Sequence, residues 1–102
     1  MRTKVHIPRR SERKQVAFPA HCRSHGGRAH DVMISDLTAE GCCICTLTMR
    51  LEAGQRVTIR PDGLQNIAGN VRWSTHAKAG IEFEYPMYAP VAEHFQREYA
   101  IS

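Results

Sequence analysis

The chain of 102 residues is poor in aromatic side chains and has no long apolar run. Phe, Trp and Tyr make up 7% of it, whereas barrels that bind single-stranded nucleic acid need aromatic rings on which bases stack. No segment approaches the roughly 18 consecutive apolar residues of a membrane helix, and no signal peptide is recognisable. We therefore expect one cytoplasmic domain that neither enters a membrane nor binds nucleic acid.

A catalytic arrangement of side chains is also missing from the sequence. Hydrolysis would need paired carboxylates, or a nucleophile beside an oriented base. Asp31 and Asp36 are separated by five positions, so in a strand they would face opposite sides. Ser35 has no flanking glycines, and no glycine-rich phosphate loop with a lysine is present. The sequence therefore predicts that the protein is not an enzyme.

Three of the four cysteines are crowded into one short segment, as Cys42, Cys43 and Cys45. This spacing is unlike a disulfide framework and suits a reducing compartment. Cys42 and Cys45 have C-x-x-C spacing, but residues three apart on a strand point to opposite faces, and no second metal-binding pair follows. We therefore predict no metal site, and we expect at least two of the four cysteines to be buried as small hydrophobic residues.

The net charge of +4 is concentrated at the N terminus. Residues 1–14 contain six basic residues and one acidic residue, whereas residues 15–102 contain eight basic and nine acidic residues. A basic leader of this kind suggests a tethered element that closes over an anion, and the alternative is a solvated terminus that only aids solubility. A barrel that binds nucleic acid would instead carry Lys and Arg across a folded face.

Short segments of alternating apolar and polar residues follow the leader, separated by turns. Paired glycines at 26 and 27 and the tripeptide Pro-Asp-Gly at 61–63 are typical turn residues. The alternation predicts strands around residues 16–22, 28–36, 41–48, 56–60, 67–73 and 79–85. Because no helical segment separates these strands, they favour a six-stranded antiparallel β-barrel, an all-β dominated fold, over a parallel α/β sheet.

The hydrophobic period changes after Pro86 and predicts a C-terminal α-helix over about residues 88–100. Pro90 suits a first helical turn, although no side-chain N-cap is evident. The stripe that would pack on the barrel consists of Tyr88, Val91, Ala92, Phe95 and Tyr99.

Two short motifs stand 23 residues apart. The first, in the basic leader, is Arg9-x-x-x-Arg13. A guanidinium group is planar and always charged, and it can bond O6 and N7 of guanine together or stack on a flat ring. Arg9 and Arg13, with Arg10 as a third candidate, could therefore hold guanine edges or phosphates.

The second motif, Asp-Leu-Thr-Ala-Glu-Gly at residues 36–41, supplies a carboxylate, a hydroxyl and a glycine. Asp36 could accept hydrogens from N1 and N2 of guanine, and Thr38 could offer its hydroxyl to a phosphate or a base edge. Gly41 would let the backbone turn sharply and approach a ligand. A purely structural turn is the alternative, because Asp and Thr also bond their own backbone.

In this order and spacing the motifs resemble the PilZ domain, the bacterial receptor for cyclic di-GMP, whose pattern is R-x-x-x-R followed by D/N-x-S-x-x-G. Gly-Asn-Val-Arg-Trp at 69–73 and Gly-Ile-Glu-Phe at 80–83 are also similar to the family's barrel. The resemblance covers residues 9 to about 95. It implies a stand-alone PilZ-like domain at 9–102, with an arginine arm at 9–14. Residues 1–8 have no hydrophobic period and end at Pro8, so we expect them to form a flexible basic tail.

The resemblance also implies that the arm wraps cyclic di-GMP against the outer face of the barrel. By motif position, Arg9 and Arg13 match the arm, and residues 36–41 match the second motif. Thr38 stands where the family usually has serine, so it keeps the hydroxyl but adds a methyl group that restricts χ1. Cys42 stands where a second glycine is common, which would weaken binding if the ligand must approach the backbone there.

Trp73 has two interpretations. It shares parity with Ile67 and Val71, and this pattern favours a position in the barrel core. The alternative is a wall against a guanine face, a role that the matching family tryptophan can take.

The sequence therefore predicts a cyclic di-GMP receptor or adaptor that orders its arginine arm and signals to an unidentified effector protein, with no other cofactor. One alternative is a degenerate PilZ-fold module that binds a protein but no nucleotide, and another is a basic barrel for single-stranded nucleic acid, which the near-neutral body opposes. The predicted ligand-binding residues are Arg9, Arg10, Arg13, Asp36, Thr38, Gly41 and Trp73.

Overall fold

Six strands and one helix form from the segments whose periodicity indicates them. The computed structural model describes residues 14–101, so Arg9, Arg10 and Arg13 lie outside the described residues. The elements are β1 Lys14–Ser24, β2 Ala29–Leu37, β3 Gly41–Cys45, β4 Arg56–Pro61, β5 Ile67–Ser74, β6 Lys78–Phe83 and α1 Ala89–Glu98.

The strands close into an antiparallel barrel in the order β1-β2-β3-β6-β5-β4. Hairpins join β1 to β2, β2 to β3, β4 to β5 and β5 to β6, and the pairings β3–β6 and β1–β4 complete the ring. Gly26 and Gly63 adopt the left-handed conformation, with φ of 74° and 83°, in two of the predicted turns. The predicted fold, a six-stranded antiparallel barrel with a C-terminal helix, is confirmed.

The core fills the barrel with the inward half of each alternating strand. Val16, Phe18, Ala20 and Cys22 of β1 are at most 3% exposed, as their shared parity predicts. Burying one such aliphatic or aromatic side chain stabilises the fold by roughly 1.5–3 kcal/mol. The same alternation buries Val32 and Ile34 of β2, Val57 and Ile59 of β4, and Ala79, Ile81 and Phe83 of β6.

Helix α1 covers the barrel with a short aromatic stripe. Ala92 and Phe95 are buried, and the Phe95 ring centroid lies 5.3 Å from that of Phe18. The Tyr99 ring lies 4.8 Å from the same Phe18 ring. Pro90 occupies the first turn, and no side chain caps the helix N terminus. Among residues 14–101, no helix has the length and apolarity needed to cross a membrane.

The structure differs from the sequence-based expectation at the ends of two strands and at one residue of the helical stripe. Strand β3 ends at Cys45 rather than Thr48, because the Thr48 N–H turns back to Thr46 Oγ1 at 3.3 Å. Tyr85 is 80% exposed, because β6 and its alternation stop at Phe83. Tyr88 precedes the first helical residue and is exposed, so it does not belong to the buried stripe.

Trp73 does not lie in the core, contrary to the pattern it shares with Ile67 and Val71. In the β5–β6 pairing, Val71 is opposite Ile81 and Trp73 is opposite Gly80, so one extra β5 residue is inserted between them. Such a bulge reverses the side on which the following residues point. Val71 is therefore buried, and Trp73, 42% exposed, lies on the outer surface.

Candidate functional site

One pocket on the outer surface collects all four of the predicted site residues that the structure describes. It has a volume of about 270 Å³ and lies where the β2–β3 turn meets β5 and β6. Residues far apart in sequence therefore line one cavity. Its main lining residues are Asp36, Thr38, Glu40, Gly41, Arg72, Trp73, Gly80 and Glu82.

The β2–β3 turn is held by the side chain of Thr38. The Glu40 and Gly41 N–H groups donate to Thr38 Oγ1 at 3.1 and 3.2 Å. The Thr38 N–H donates to the Gly41 carbonyl at 2.9 Å, and this bond closes the turn. The hydroxyl oxygen thus satisfies two backbone donors, so it fixes the shape of the pocket edge.

Gly41 lies at a close approach of two strands. It pairs with Glu82 of β6, and a Cβ on Gly41 would overlap the carbonyl oxygen of Ile81. Its φ is not in the left-handed region, which among the described glycines is confined to Gly26, Gly54 and Gly63. The need for glycine at 41 is therefore steric and comes from the β3–β6 contact.

Trp73 forms a flat wall of the pocket because Gly80 leaves room for it. A Cβ on Gly80 would overlap the indole nitrogen of Trp73, so the ring lies directly over the Gly80 backbone. With 42% of its surface exposed, the indole offers a free face to solvent. A half-exposed ring of this kind can stack on a planar ligand.

Carboxylates outnumber cations around the pocket within the described part of the chain. Arg72 is the one basic lining residue there, and its guanidinium pairs with Glu82 at 2.6 Å. Asp36 and Glu40 add two further carboxylates. An anionic ligand would therefore need additional cations, and the three arginines of the leader are outside the described residues.

The cysteines near the pocket are buried thiols. Burial raises the pKa of Cys42, with smaller contributions from Cys43, Cys22 and Asp36. Burial also raises the pKa of Cys43, although a hydrogen bond from Ser35 acts in the opposite direction. Protonated thiols of this kind are poor nucleophiles and poor metal ligands. No group of three His, Cys, Asp or Glu side chains within residues 14–101 could hold a metal ion.

Six lining residues were not predicted as site residues from the sequence, namely Glu40, Cys42, Arg72, Gly80, Ile81 and Glu82. Two of them become neighbours through the register of the β5–β6 hairpin, in which Asn70 pairs with Glu82. That register places Arg72 and Glu82 on one face as diagonal neighbours of opposite charge. Gly80 becomes a site residue only through the bulge that brings Trp73 over it.

A closed antiparallel barrel with a polar, aromatic-walled pocket on its outer surface defines a class of small binding domains. The PilZ domain family matches residues 8–99, and the chain belongs to this family. PilZ domains are ligand-binding receptor modules that generally bind cyclic di-GMP and interact with effector proteins. Among curated proteins, no match to the chain is found.

Proposed function

We propose that this PilZ domain is a cyclic di-GMP receptor in which Arg9, Arg10 and Arg13 close over a ligand held in the pocket. The supporting observation is that Asp36, Thr38, Gly41 and Trp73 meet at one cavity whose described lining has too few cations for a dianion. The family match begins at residue 8 and so includes all three arginines. The leader is the part of the chain with the largest positive charge.

Five of the seven predicted residues have a specific chemical role in this proposal. Trp73 stacks on one guanine face, and Asp36 accepts hydrogens from guanine N1 and N2. Thr38 keeps the β2–β3 turn in shape and offers its hydroxyl proton to the ligand. Arg9 and Arg13 bind the O6 and N7 edge or the phosphates, where a good bidentate pair gives roughly 1–3 kcal/mol of discrimination between bases.

Ordering of the arm is the proposed output. The leader is rich in like charges and has little apolar surface to bury, so the free energy of ordering must come from the ligand. Cyclic di-GMP supplies the countercharge, and the newly ordered arm changes the surface that an effector protein contacts.

The test is a calorimetric titration of the purified protein with cyclic di-GMP, followed in parallel by fluorescence of Trp73, the one tryptophan of the chain. We expect binding at micromolar ligand and quenching of the indole. Arg13→Ala, Asp36→Ala and a deletion of residues 1–13 should each weaken binding by about tenfold or more, since each removes charge-assisted bonds. Arg50→Ala, on an exposed loop away from the pocket, is the matched control.

Two further measurements make the proposal specific. Cyclic di-AMP lacks the O6 and N2 groups, so it should bind much more weakly. NMR spectra of the saturated protein should show residues 9–13 more ordered than in the free protein. No measurable binding of cyclic di-GMP, or a leader equally mobile in both states, would contradict the proposal.

The alternative function, a partner-binding module without a nucleotide, is favoured by two features of the pocket. The Thr38 oxygen already accepts two backbone hydrogen bonds, and Cys42 replaces a glycine that is common in the family. An effector whose affinity is unchanged by saturating cyclic di-GMP would support this alternative.

A further inference from the structure

A second surface lies on the outer face of β1, β2 and β4, and no residue of it lines the candidate pocket. At one end is an apolar groove of about 630 Å³ whose lining includes Pro19, Met33 and Leu47. Met33 is 43% exposed and Leu47 is 83% exposed. Exposed apolar side chains grouped along a groove are typical of a contact site for another molecule.

The strand register orders this surface into rows. Pro19 of β1 is opposite Met33 of β2, which is opposite Cys45 of β3, and this row forms the floor of the groove. Next along β1 comes His21, which lines both the groove and a neighbouring depression of about 170 Å³. The third row begins with Arg23, which is four residues from Pro19 along β1. At roughly 3.3 Å per residue, the two rows are about 13 Å apart.

The depression is basic. Arg23 and Arg60 line it together with Thr58 and Asn66, and neither arginine has a carboxylate partner among residues 14–101. His21 is opposite Arg60 in the β1–β4 pairing, and Arg23 is opposite Thr58. The two guanidinium groups are therefore diagonal neighbours on one face of the sheet. Two unpaired cations on a rigid sheet fit a partner that brings carboxylates.

The charges at the groove have the opposite sign. Asp31, which pairs with His21 at 3.0 Å, and Asp62 both line the apolar end. Acidic groups of a partner would be repelled at this end and attracted at the arginine end. The distribution of charge therefore fixes the direction in which a partner segment lies.

The closed barrel decides which kind of segment can bind. Each of the six described strands has a neighbouring strand on both sides, so within residues 14–101 no strand offers a complete free edge to an added strand. The partner must be recognised through side chains, and positions eight residues apart on one helix are about 12 Å apart. This spacing agrees with the roughly 13 Å between the rows of Pro19 and Arg23.

We propose that this surface binds an amphipathic helix of a partner protein, with an apolar side chain in the groove at Met33 and Leu47 and carboxylates, two turns further on, at Arg23 and Arg60. The apolar contact supplies affinity, and the charges supply orientation and a faster encounter. The proposal does not depend on nucleotide binding, since the surface and the pocket are built from different residues.

The test uses NMR titration of the full chain with a synthetic Ala-rich helix of about 18 residues. The peptide carries one Leu, to match the row of Pro19, and two Glu residues about seven and eight positions after this Leu, to match the row of Arg23. We expect shift changes confined to amides of β1, β2, β4 and the loop at Leu47. A peptide with Lys in place of both Glu residues, and one with Ser in place of Leu, should bind at least about tenfold more weakly.

Variants of the protein locate the contact. Arg23→Glu with Arg60→Glu should reduce affinity for the acidic peptide by about tenfold, and Leu47→Ser should also reduce it. Arg50→Glu with Arg97→Glu, which makes the same charge change outside this surface, should leave peptide affinity unchanged. Because Arg23, Arg60 and Leu47 are exposed, these changes leave the core intact.

Three outcomes would overturn the proposal: no shift changes with the acidic peptide, equal binding of the Glu and Lys peptides, or tighter binding of a single-stranded oligonucleotide to the same arginines. Cyclic di-GMP titration of the Arg23→Glu, Arg60→Glu protein keeps the two proposals separate. Retained nucleotide binding with lost peptide binding is the expected pattern, and unchanged peptide binding by this variant would overturn the proposal.

Discussion

At the residue scale, the pocket depends on two glycines that are required for different reasons. Gly41 faces the backbone carbonyl of Ile81, which cannot move without separating β3 from β6. Gly80 faces the indole of Trp73, a side chain on the open surface that can rotate away. The same change to alanine should therefore act on stability at one position and on the shape of the site at the other.

The first prediction compares Gly41→Ala with Gly80→Ala. Gly41→Ala should lower the free energy of unfolding by about 2–4 kcal/mol, because the clash is with backbone. Gly80→Ala should cost less than about 1.5 kcal/mol but displace Trp73 into solvent, shifting its fluorescence maximum to longer wavelength and weakening cyclic di-GMP binding. Denaturant unfolding and emission spectra measure both. Equal stabilities for the two variants, or an unchanged spectrum for Gly80→Ala, would contradict the explanation.

Thr38 shows how a structural and a functional interpretation of one residue can coexist. The sequence leaves open whether its hydroxyl closes a turn or binds a ligand. The structure gives the oxygen two backbone donors, whereas the hydroxyl proton has the Gly41 carbonyl as its partner within residues 14–101, at a long 3.4 Å. In the turn, the hydroxyl oxygen therefore accepts two hydrogen bonds, whereas the hydroxyl proton makes one long bond. The proton is the part of the group that we propose to donate to a ligand.

At the element scale, helix α1 and its flanking residues contact both the β2–β3 turn and the start of β1. The proposed ligand would bring this turn together with the leader that precedes β1. The Gln96 side-chain amide donates to the Leu37 carbonyl at 2.8 Å, next to the β2–β3 turn. The Met87 N–H donates to the Ala39 carbonyl inside that turn at 2.7 Å. After the helix, the Tyr99 carbonyl accepts the Ala17 N–H at 3.1 Å, close to the start of β1.

The prediction at this scale concerns Gln96→Ala. Leu37 is 2% exposed, so its carbonyl would lose a partner that water replaces poorly. We expect the free energy of unfolding to fall by about 1–2 kcal/mol, measured by urea denaturation. Glu93→Ala, on the exposed side of the same helix, is the control and should change stability by less than about 0.5 kcal/mol. Equal effects of the two substitutions would mean that Gln96 does not anchor the turn.

The strands were largely predictable because their buried residues alternate, as in the run from Val16 to Cys22. The exposed position of Trp73 was not predictable, because a bulge depends on the register between β5 and β6. The alternation of residues in β5 itself gives no sign of the bulge. Tyr85 and Tyr88 were misplaced for a related reason: apolar residues continue in sequence after the strand has ended at Phe83. The hydrophobic periodicity therefore predicted where the strands and the helix lie, whereas their ends depend on how the strands pair.

The candidate site was predictable in part for the same physical reason. Asp36, Thr38 and Gly41 lie within one turn, so a local motif is enough to group them. Arg72 and Glu82 enter the pocket only through the β5–β6 pairing, which a single strand does not encode. The roles of the leader arginines stay a prediction, because they lie outside the described residues.

At the scale of the whole molecule, the two proposed sites use separate charges. The candidate pocket has a carboxylate excess among its described residues, and the outer face of β1 and β4 has two arginines with no carboxylate partner in the described part of the chain. A dianion held in the pocket by the leader would cancel two of the five net positive charges of residues 1–14, while Arg23 and Arg60 would remain available to a partner. The pocket can therefore bind the nucleotide while the outer face of β1 and β4 binds a partner protein.

The buried thiols give the whole barrel a predictable response to alkaline pH. Burial raises the pKa of Cys22 from its ordinary 9.0 to about 11. A thiol with a higher pKa in the folded state holds its proton more tightly when folded, so ionisation above pH 9 favours the unfolded chain. This part of the stability is fully present below pH 9 and is lost as the pH rises to about 11, by up to about 2–3 kcal/mol.

The experiment compares the wild type with Cys22→Ala by urea unfolding between pH 8 and 11. All other side chains are the same in both proteins, so the difference between the two curves isolates the thiol. We expect Cys22→Ala to be less stable at pH 8, because it leaves a small cavity, but to lose less stability as the pH rises. Val57→Ala, which also removes buried volume but no titratable group, should run parallel to the wild type at every pH. A Cys22→Ala curve that is parallel as well would show that the Cys22 thiol does not contribute to the alkaline loss of stability.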